Sequence, residues 1–307
     1  MTSSVNRRRI WRLYGRTIVL LLAMAAGFLC PWAAPFSVAL PYLLIGMLFF
    51  AFLDISVSRE SFHISILGIF LANLIIPVAV YAVLMPFRPD LALVGFISAI
   101  APTATATPVI VGFIRGKVEY VVTAVLLTNV GVALILPFLL PLVASPTRPV
   151  STAEVLPSTL LVMFVPLGSA WLVRRFSPAW QGFFRKGKPL AFLVWLLVIF
   201  AVTAKASSFL QSGSGIPSVT LVEIAILSLI ICVANFLLGA WIGGRAFRRE
   251  GSQALGQKNN SFTIWLALAY LNPLAALGPT FYVAYHNLYN GWMLYESERH
   301  HKTDGES

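Results

Sequence analysis

The sequence predicts an all-α membrane protein of ten transmembrane helices, arranged as two inverted five-helix repeats in which helices 4 and 9 are broken. Three observations carry that expectation. Of the 307 residues, 58% are hydrophobic and only 11% charged, where a soluble domain has roughly a quarter charged. The basic residues are distributed one-sidedly between the connecting pieces. Two segments carry polar interruptions at membrane depth.

Apolar runs long enough to span a bilayer recur through the whole length. They are continuous rather than alternating over ten residues, which points to helices and not to a β-barrel. Prolines at 31, 35, 86, 89, 146, 149, 217 and 273 punctuate them. The helices so delimited run over about 16–34, 38–57, 63–84, 91–115, 118–143, 155–174, 189–209, 218–243, 252–271 and 273–295. The first follows Arg7-Arg8-Arg9-Ile10-Trp11-Arg12, a start shared with signal peptides. With no small-residue cleavage site before a soluble mature sequence, it reads as a retained helix.

The charges test this division. With the N-terminus inside, 18 of the 22 Lys and Arg fall on the cytoplasmic side, Arg88, Arg148 and Lys205 fall outside, and Lys258 is left within the membrane. Such a bias orients both termini to the cytoplasm of an inner or plasma membrane. It also accounts for the net charge of +11 without a nucleic-acid partner; the expected partner is the lipid bilayer. Cys30 and Cys232 lie in or beside apolar segments without CxxC spacing, and read as small buried hydrophobes. Neither a metal nor a cofactor is expected. No paired carboxylates, Gly-x-Ser-x-Gly, HExxH or Walker motif is present, so no enzyme activity is expected either.

Ten helices divide into five and five of opposite orientation within a single domain over 1–307, with repeat one at about 16–143 and repeat two at about 155–295. Helix 4 then corresponds to helix 9. Helix 4 contains Ala101-Pro102-Thr103-Ala104-Thr105-Ala106-Thr107-Pro108; its two prolines delete backbone donors and clash with preceding carbonyls, so the helix breaks there. Helix 9 contains Gly256-Gln257-Lys258-Asn259-Asn260. Paired, polar, interrupted segments in corresponding positions mark a midplane binding site. The alternatives are a plain proline kink with threonines bonding back to carbonyls, and a polar helix start whose Lys258 snorkels to the cytoplasmic interface.

Other polar residues interrupt the apolar segments. Asp54 closes helix 2 at its cytoplasmic end. Asn73, Asn129 and Asn235 read as interhelical hydrogen-bonding groups, with Asn73 also a candidate cavity residue. Glu223 is a candidate proton site or an interfacial capping acid. His286, with Asn287 and Asn290, is either a satisfied neutral histidine or a proton relay.

At the residues of helices 4 and 9 the chain resembles the bile acid–sodium symporter family, ten-helix secondary transporters of organic anions. Ala101-Pro102 through Thr107, Arg115-Gly116, Gly256, Asn259, Leu266-Ala267 and Pro273 carry the resemblance. It implies a panel domain (helices 1, 2, 6 and 7) and a core built on the crossing of helices 4 and 9, where sodium ions and substrate bind. It also exposes departures. The helix-4 sodium-site Asn falls on Pro108. Two helix-5 hydroxyl ligands fall on Val121 and Val125, although Thr123 stands between them. The acidic residue ahead of the helix-9 Gly falls on Ala254, and a Gln falls on Lys258. A hard cation needs several oxygen ligands, so these substitutions argue against sodium.

The resulting expectation is a secondary transporter of a small or amphipathic organic anion, probed by Thr103, Thr105, Thr107, Gln257, Lys258, Asn259 and Asn260. Lys258 replaces a sodium ion with a tethered charge; it either holds the anion or cycles a proton. Lys258, Asn73, Glu223 and His286 are the candidate proton or cavity residues. Rivals are a sodium-coupled symporter, an exporter or uniporter, and a membrane sensor or partner subunit with a degenerate transport site. The stretch from Thr103 to Pro108 contains no cysteine, which disfavours the thiolate chemistry of the family's arsenite exporters.

Overall fold

A computed structural model describes residue 15 and residues 18–53, 62–144, 149–176, 178–212 and 216–304. Asp54, the N-terminal arginines, Arg59 and Arg148 lie outside the described residues. The helices are α1 (Ile18–Leu29), α2 (Leu40–Phe52), α3 (Ile64–Leu84), α4 (Pro89–Ile100), α5 (Thr107–Phe113), α6 (Val118–Val143) and α7 (Thr152–Phe176). They continue as α8 (Pro178–Lys186), α9 (Lys188–Gln211), α10 (Ser218–Gly243), α11 (Arg248–Gly256), α12 (Asn260–Tyr270) and α13 (Pro273–Asp304). Among the described residues, six helical stretches are long and apolar enough to cross a membrane, and α1 and α4 are shorter apolar helices. This is the helix content of an integral membrane protein.

The structure departs from the sequence expectation in three places. Between the first two helices the chain forms a 3₁₀ helix over Pro31–Ala39 that runs straight into α2. Pro31 and Pro35 remove donors from an α ladder there, and the tighter turn tolerates the gap. The nine-residue α8 follows α7; it is too short to register in a search for bilayer-length runs. The last helix continues beyond 295 to Asp304.

Two groups of helices organise the packing. In the first, α2, the 3₁₀ segment, α7 and α9 pack on one another. Leu40, Leu44, Leu48 and Phe52 form a stripe at four-residue spacing along α2, and join Val162 and Met163 of α7 and Val198, Ile199 and Val202 of α9 in one apolar cluster. In the second, α3, α4, α10, α11 and α13 pack together. There α10 and α11 touch backbone to backbone. A Cβ on Gly251 would lie 2.4 Å from the Gly239 carbonyl oxygen, and one on Gly239 would lie 2.3 Å from that of Gly251. Gly239 and Gly243 are spaced as Gly-x-x-x-Gly, the spacing that lets membrane helices approach closely.

Candidate functional site

The site begins with two interruptions of helix. Ala101 leaves α4 with φ −52° and ψ 133°, because a residue before proline is pushed out of the α region. Helix resumes at Thr107, with Pro108 in the first turn where its missing N–H costs nothing. In the second half α11 ends at Gly256, Gln257 is extended with ψ 105°, and α12 starts at Asn260. Thr103 and Lys258 face each other as an antiparallel bridge. Ala104 N–H donates to the Gln257 carbonyl at 2.8 Å, and Asn259 N–H donates to the Pro102 carbonyl at 2.7 Å. Away from water, unwound backbone groups have to find partners in the protein; here each interruption satisfies the other.

Side chains on neighbouring helices secure the remaining groups. Thr128 of α6 accepts from Thr103 N–H at 3.1 Å, and Asn129 donates to the Thr103 carbonyl at 2.8 Å. The Thr103 hydroxyl donates to the Ala254 carbonyl at 2.6 Å. Tyr282 of α13 donates to the Gly256 carbonyl at 2.8 Å and accepts from Asn235 of α10 at 3.2 Å. Gln257 donates to Gln253 at 2.9 Å and to Asn290. Asn129 thus serves the unwound backbone itself, rather than simply joining two intact helices.

Lys258 is 2% exposed. Its ammonium donates to Asn73 Oδ1, while Asn73 Nδ2 donates to the Ile100 carbonyl, the last of α4, at 3.2 Å. The Lys258 amine therefore sits beside the carbonyl end of α4, the negative end of its helix dipole. A lysine reaching for the interface would leave its ammonium exposed; the snorkelling alternative is overturned by this burial.

Other predicted residues divide by what their polar atoms do. The Thr107 hydroxyl donates back to the Ala104 carbonyl at 2.6 Å, and Thr105 is half-buried. Asn260 is 1% exposed, and neither its Oδ1 nor its Nδ2 has a hydrogen-bond partner among the described residues; Asn259 Nδ2 and His286 Nδ1 are in the same condition. Buried polar atoms without partners carry a desolvation cost, and α12 adds the positive end of its dipole at Asn260. This part of the crossing can accept both a donor and an acceptor from a ligand.

The positions at which oxygen ligands for sodium are expected do not supply them. Val121 and Ala254 are fully buried in one apolar cluster with Ile66, Ile69 and Leu255. Val125 is fully buried in another. These side chains offer no lone pair, and their space is packed. The residues present do not fit a sodium site of the family pattern.

Glu223 stands apart from the crossing. Arg88, which precedes α4, binds its carboxylate through two nitrogens at 2.7 and 2.8 Å, and Asp90 at 3.0 Å. All three are partly exposed. The bonds to Glu223, then those to Asp90, hold the Arg88 guanidinium above its ordinary pKa. Glu223 is an ion-pair partner at a helix end, not a cavity acid. Glu223→Gln is expected to shift the melting temperature of the purified protein by no more than about 3 °C, since exposed pairs contribute little.

The reading of the sequence missed Thr128, Gln253 and Tyr282. Thr128 beside Asn129 was a visible polar pair within an apolar helix. Tyr282 carries no signal of its own among the aromatics of α13.

None of the curated proteins matches the chain. The model of the Sodium Bile acid symporter family matches residues 37–212. That span includes the arm formed by α4 and α5 and stops short of the arm that carries Lys258. It is more than half of the chain, and with the apolar helices that surround the crossing it shows that this protein belongs to the Sodium Bile acid symporter family, a family of transporters.

Proposed function

We propose that the protein is a sodium-independent secondary transporter of an organic anion, working by alternating access, with the tethered amine of Lys258 in place of a sodium ion. The observation that carries the reading is the buried Lys258–Asn73 contact at the carbonyl end of α4, in a crossing whose expected sodium-ligand positions are Val121, Val125 and Ala254. Half-helix carbonyl ends are where transporters of this architecture hold their coupling cations.

In this reading α3 to α6 and α10 to α13 form the core of a ten-helix inverted repeat, with both termini cytoplasmic. The reciprocal bonds Ala104 to Gln257 and Asn259 to Pro102 support a two-fold relation between the halves. The group of α2, α7 and α9 would rock against that core. The anion would bind at Asn259, Asn260 and Thr105, where amide donors and the α12 N-terminus face it. Thr103, Thr107 and Gln257 shape the backbone that presents them. Transport would then run on a proton gradient, through Lys258 or His286, or on the substrate gradient alone.

Uptake of organic anions into proteoliposomes tests the coupling. Equal initial rates, within about twofold, are expected with an inward sodium gradient, with potassium substituted for sodium, and with no cation gradient. A sodium gradient that drives accumulation would overturn the reading. Accumulation that a protonophore collapses would assign the proton-coupled form; equilibration without accumulation would assign the uniport form.

A further inference from the structure

Outside the crossing, a groove of about 420 Å³ runs along the contact of α6 and α7. Its walls are Leu126 and Val130 of α6 and Phe164 and Leu167 of α7, and Arg174 closes one end. Gly168 also lines it, and an added Cβ there would meet nothing within 4 Å. Trp171, 53% exposed, and Phe164, 36% exposed, flank it on the outer surface of α7. The groove is thus apolar along its length and charged at one end.

Arg174 makes that end specific. Its Nη1 is buried and has no hydrogen-bond partner among the described residues. The neighbouring Arg175 differs: its guanidinium lies over the Phe176 ring, 5.6 Å from the centroid. A buried guanidinium nitrogen left without an acceptor marks a place for an anion, and guanidinium groups match phosphate oxygens in geometry.

The dimensions identify the ligand. From Phe164 to Arg174 the helix advances roughly 15 Å, which is half of the roughly 30 Å hydrocarbon core. The groove therefore runs from the middle of the membrane to the headgroup level of one leaflet. Trp171 stands near its charged end, the depth at which tryptophan collects. Arg185, Lys186 and Lys188 follow within the next turns of chain, and such a basic run enriches anionic lipid at that surface.

We propose that this groove is a binding site for one anionic phospholipid, with an acyl chain along Leu126, Val130, Phe164 and Leu167 and its phosphate on Arg174. The site is separate from the transport reading and does not depend on it.

The test uses purified full-length protein in detergent, titrated with phosphatidylglycerol or with phosphatidylcholine of the same acyl chains. Bound lipid is counted by native mass spectrometry. Wild type is expected to retain one phosphatidylglycerol in preference to phosphatidylcholine. Arg174→Gln is expected to weaken phosphatidylglycerol at least about 10-fold, the scale of a lost charged hydrogen bond, and so to erase the preference. Gly168→Leu puts a side chain into the open space of the groove and is expected to exclude both lipids while the protein elutes as a folded particle. Arg175→Gln is expected to change retention by no more than about twofold. Equal loss in Arg175→Gln and Arg174→Gln would show diffuse charge attraction and overturn the site. Unchanged retention in Gly168→Leu, or equal retention of glycerol phosphate without acyl chains, would also overturn it. Uptake by Arg174→Gln in phosphatidylcholine liposomes is expected to match wild type, which keeps this proposal distinguishable from the transport reading.

Discussion

Lys258→Met is expected to abolish organic-anion uptake while leaving the protein as stable as wild type or more so. The two effects separate because they have different origins. Lys258 is fully enclosed, and its ammonium is held by Asn73. Replacing a buried charge with an apolar side chain of similar length removes a desolvation cost, and such replacements are often neutral or stabilising. Transport loses the tethered amine beside the α4 carbonyl end. Losing a hydrogen bond made by a charged group costs about 1.5–3 kcal/mol, or roughly 10-fold and upward in a rate or affinity. Asn73→Leu should behave differently, because it leaves the ammonium in place without its acceptor. Leaving a charged donor buried without its acceptor costs about 1.5–3 kcal/mol of stability, so this variant should lose both thermal stability and uptake. The double variant Asn73→Leu with Lys258→Met should recover stability but not uptake. Melting of the detergent-solubilised protein and initial uptake rates in liposomes measure the two quantities. Wild-type uptake by Lys258→Met would remove the lysine from the mechanism.

The second large effect is expected at Gly251. Its Cα hydrogen faces the Gly239 carbonyl oxygen so closely that a methyl group would sit 2.4 Å from it. A side-chain neighbour could rotate away; a carbonyl within α10 cannot. Gly251→Ala must push α11 off α10, and Gly251→Leu must push it further, beyond the roughly 1–3 kcal/mol typical of an overfilled core. Since α11 delivers Gln257 and Lys258 to the crossing, the displacement carries straight to the site. Gly251→Ala should lower both melting temperature and uptake, and Gly251→Leu should yield no monodisperse protein on size-exclusion chromatography. Gly46→Ala provides the contrast. Nothing lies within 4 Å of a Cβ at Gly46, and helix propensity favours alanine by nearly 1 kcal/mol. A monodisperse, active Gly251→Leu protein would contradict the backbone contact.

What the sequence disclosed follows from which forces are local. The helices 64–84, 118–143 and 218–243 are bounded by proline or glycine and by the ends of long apolar runs, so their limits could be read closely. Pro102 and Pro108 announce the interruption of the first arm because proline acts on its own four preceding residues. The interruption of the second arm has no proline, and only the cluster Gln257-Lys258-Asn259-Asn260 pointed to it. The partner of Lys258 was not legible. Asn73 lies 185 residues away, and no local pattern links the two. Glu223 was misleading for the same reason: its character is decided by Arg88, 135 residues distant. The Gly239-x-x-x-Gly243 spacing could be seen, but its meaning depended on Gly251 of the adjacent helix.

The reciprocal backbone pairing of the two arms also bears on how the chain is made. Thr103 and its acceptor Ala254 are 151 residues apart. At about 5–20 residues per second, the first arm emerges from the ribosome roughly eight to thirty seconds before its complement exists. During that interval Ala104 N–H and the Pro102 carbonyl have no partner from the second arm, at a depth where an unsatisfied backbone group costs several kcal/mol. The nascent first half is therefore expected to need a factor, such as an insertase or membrane chaperone, that shelters open backbone. A chain stopped before α11 should persist only as a complex with such a factor or as a target of membrane proteolysis.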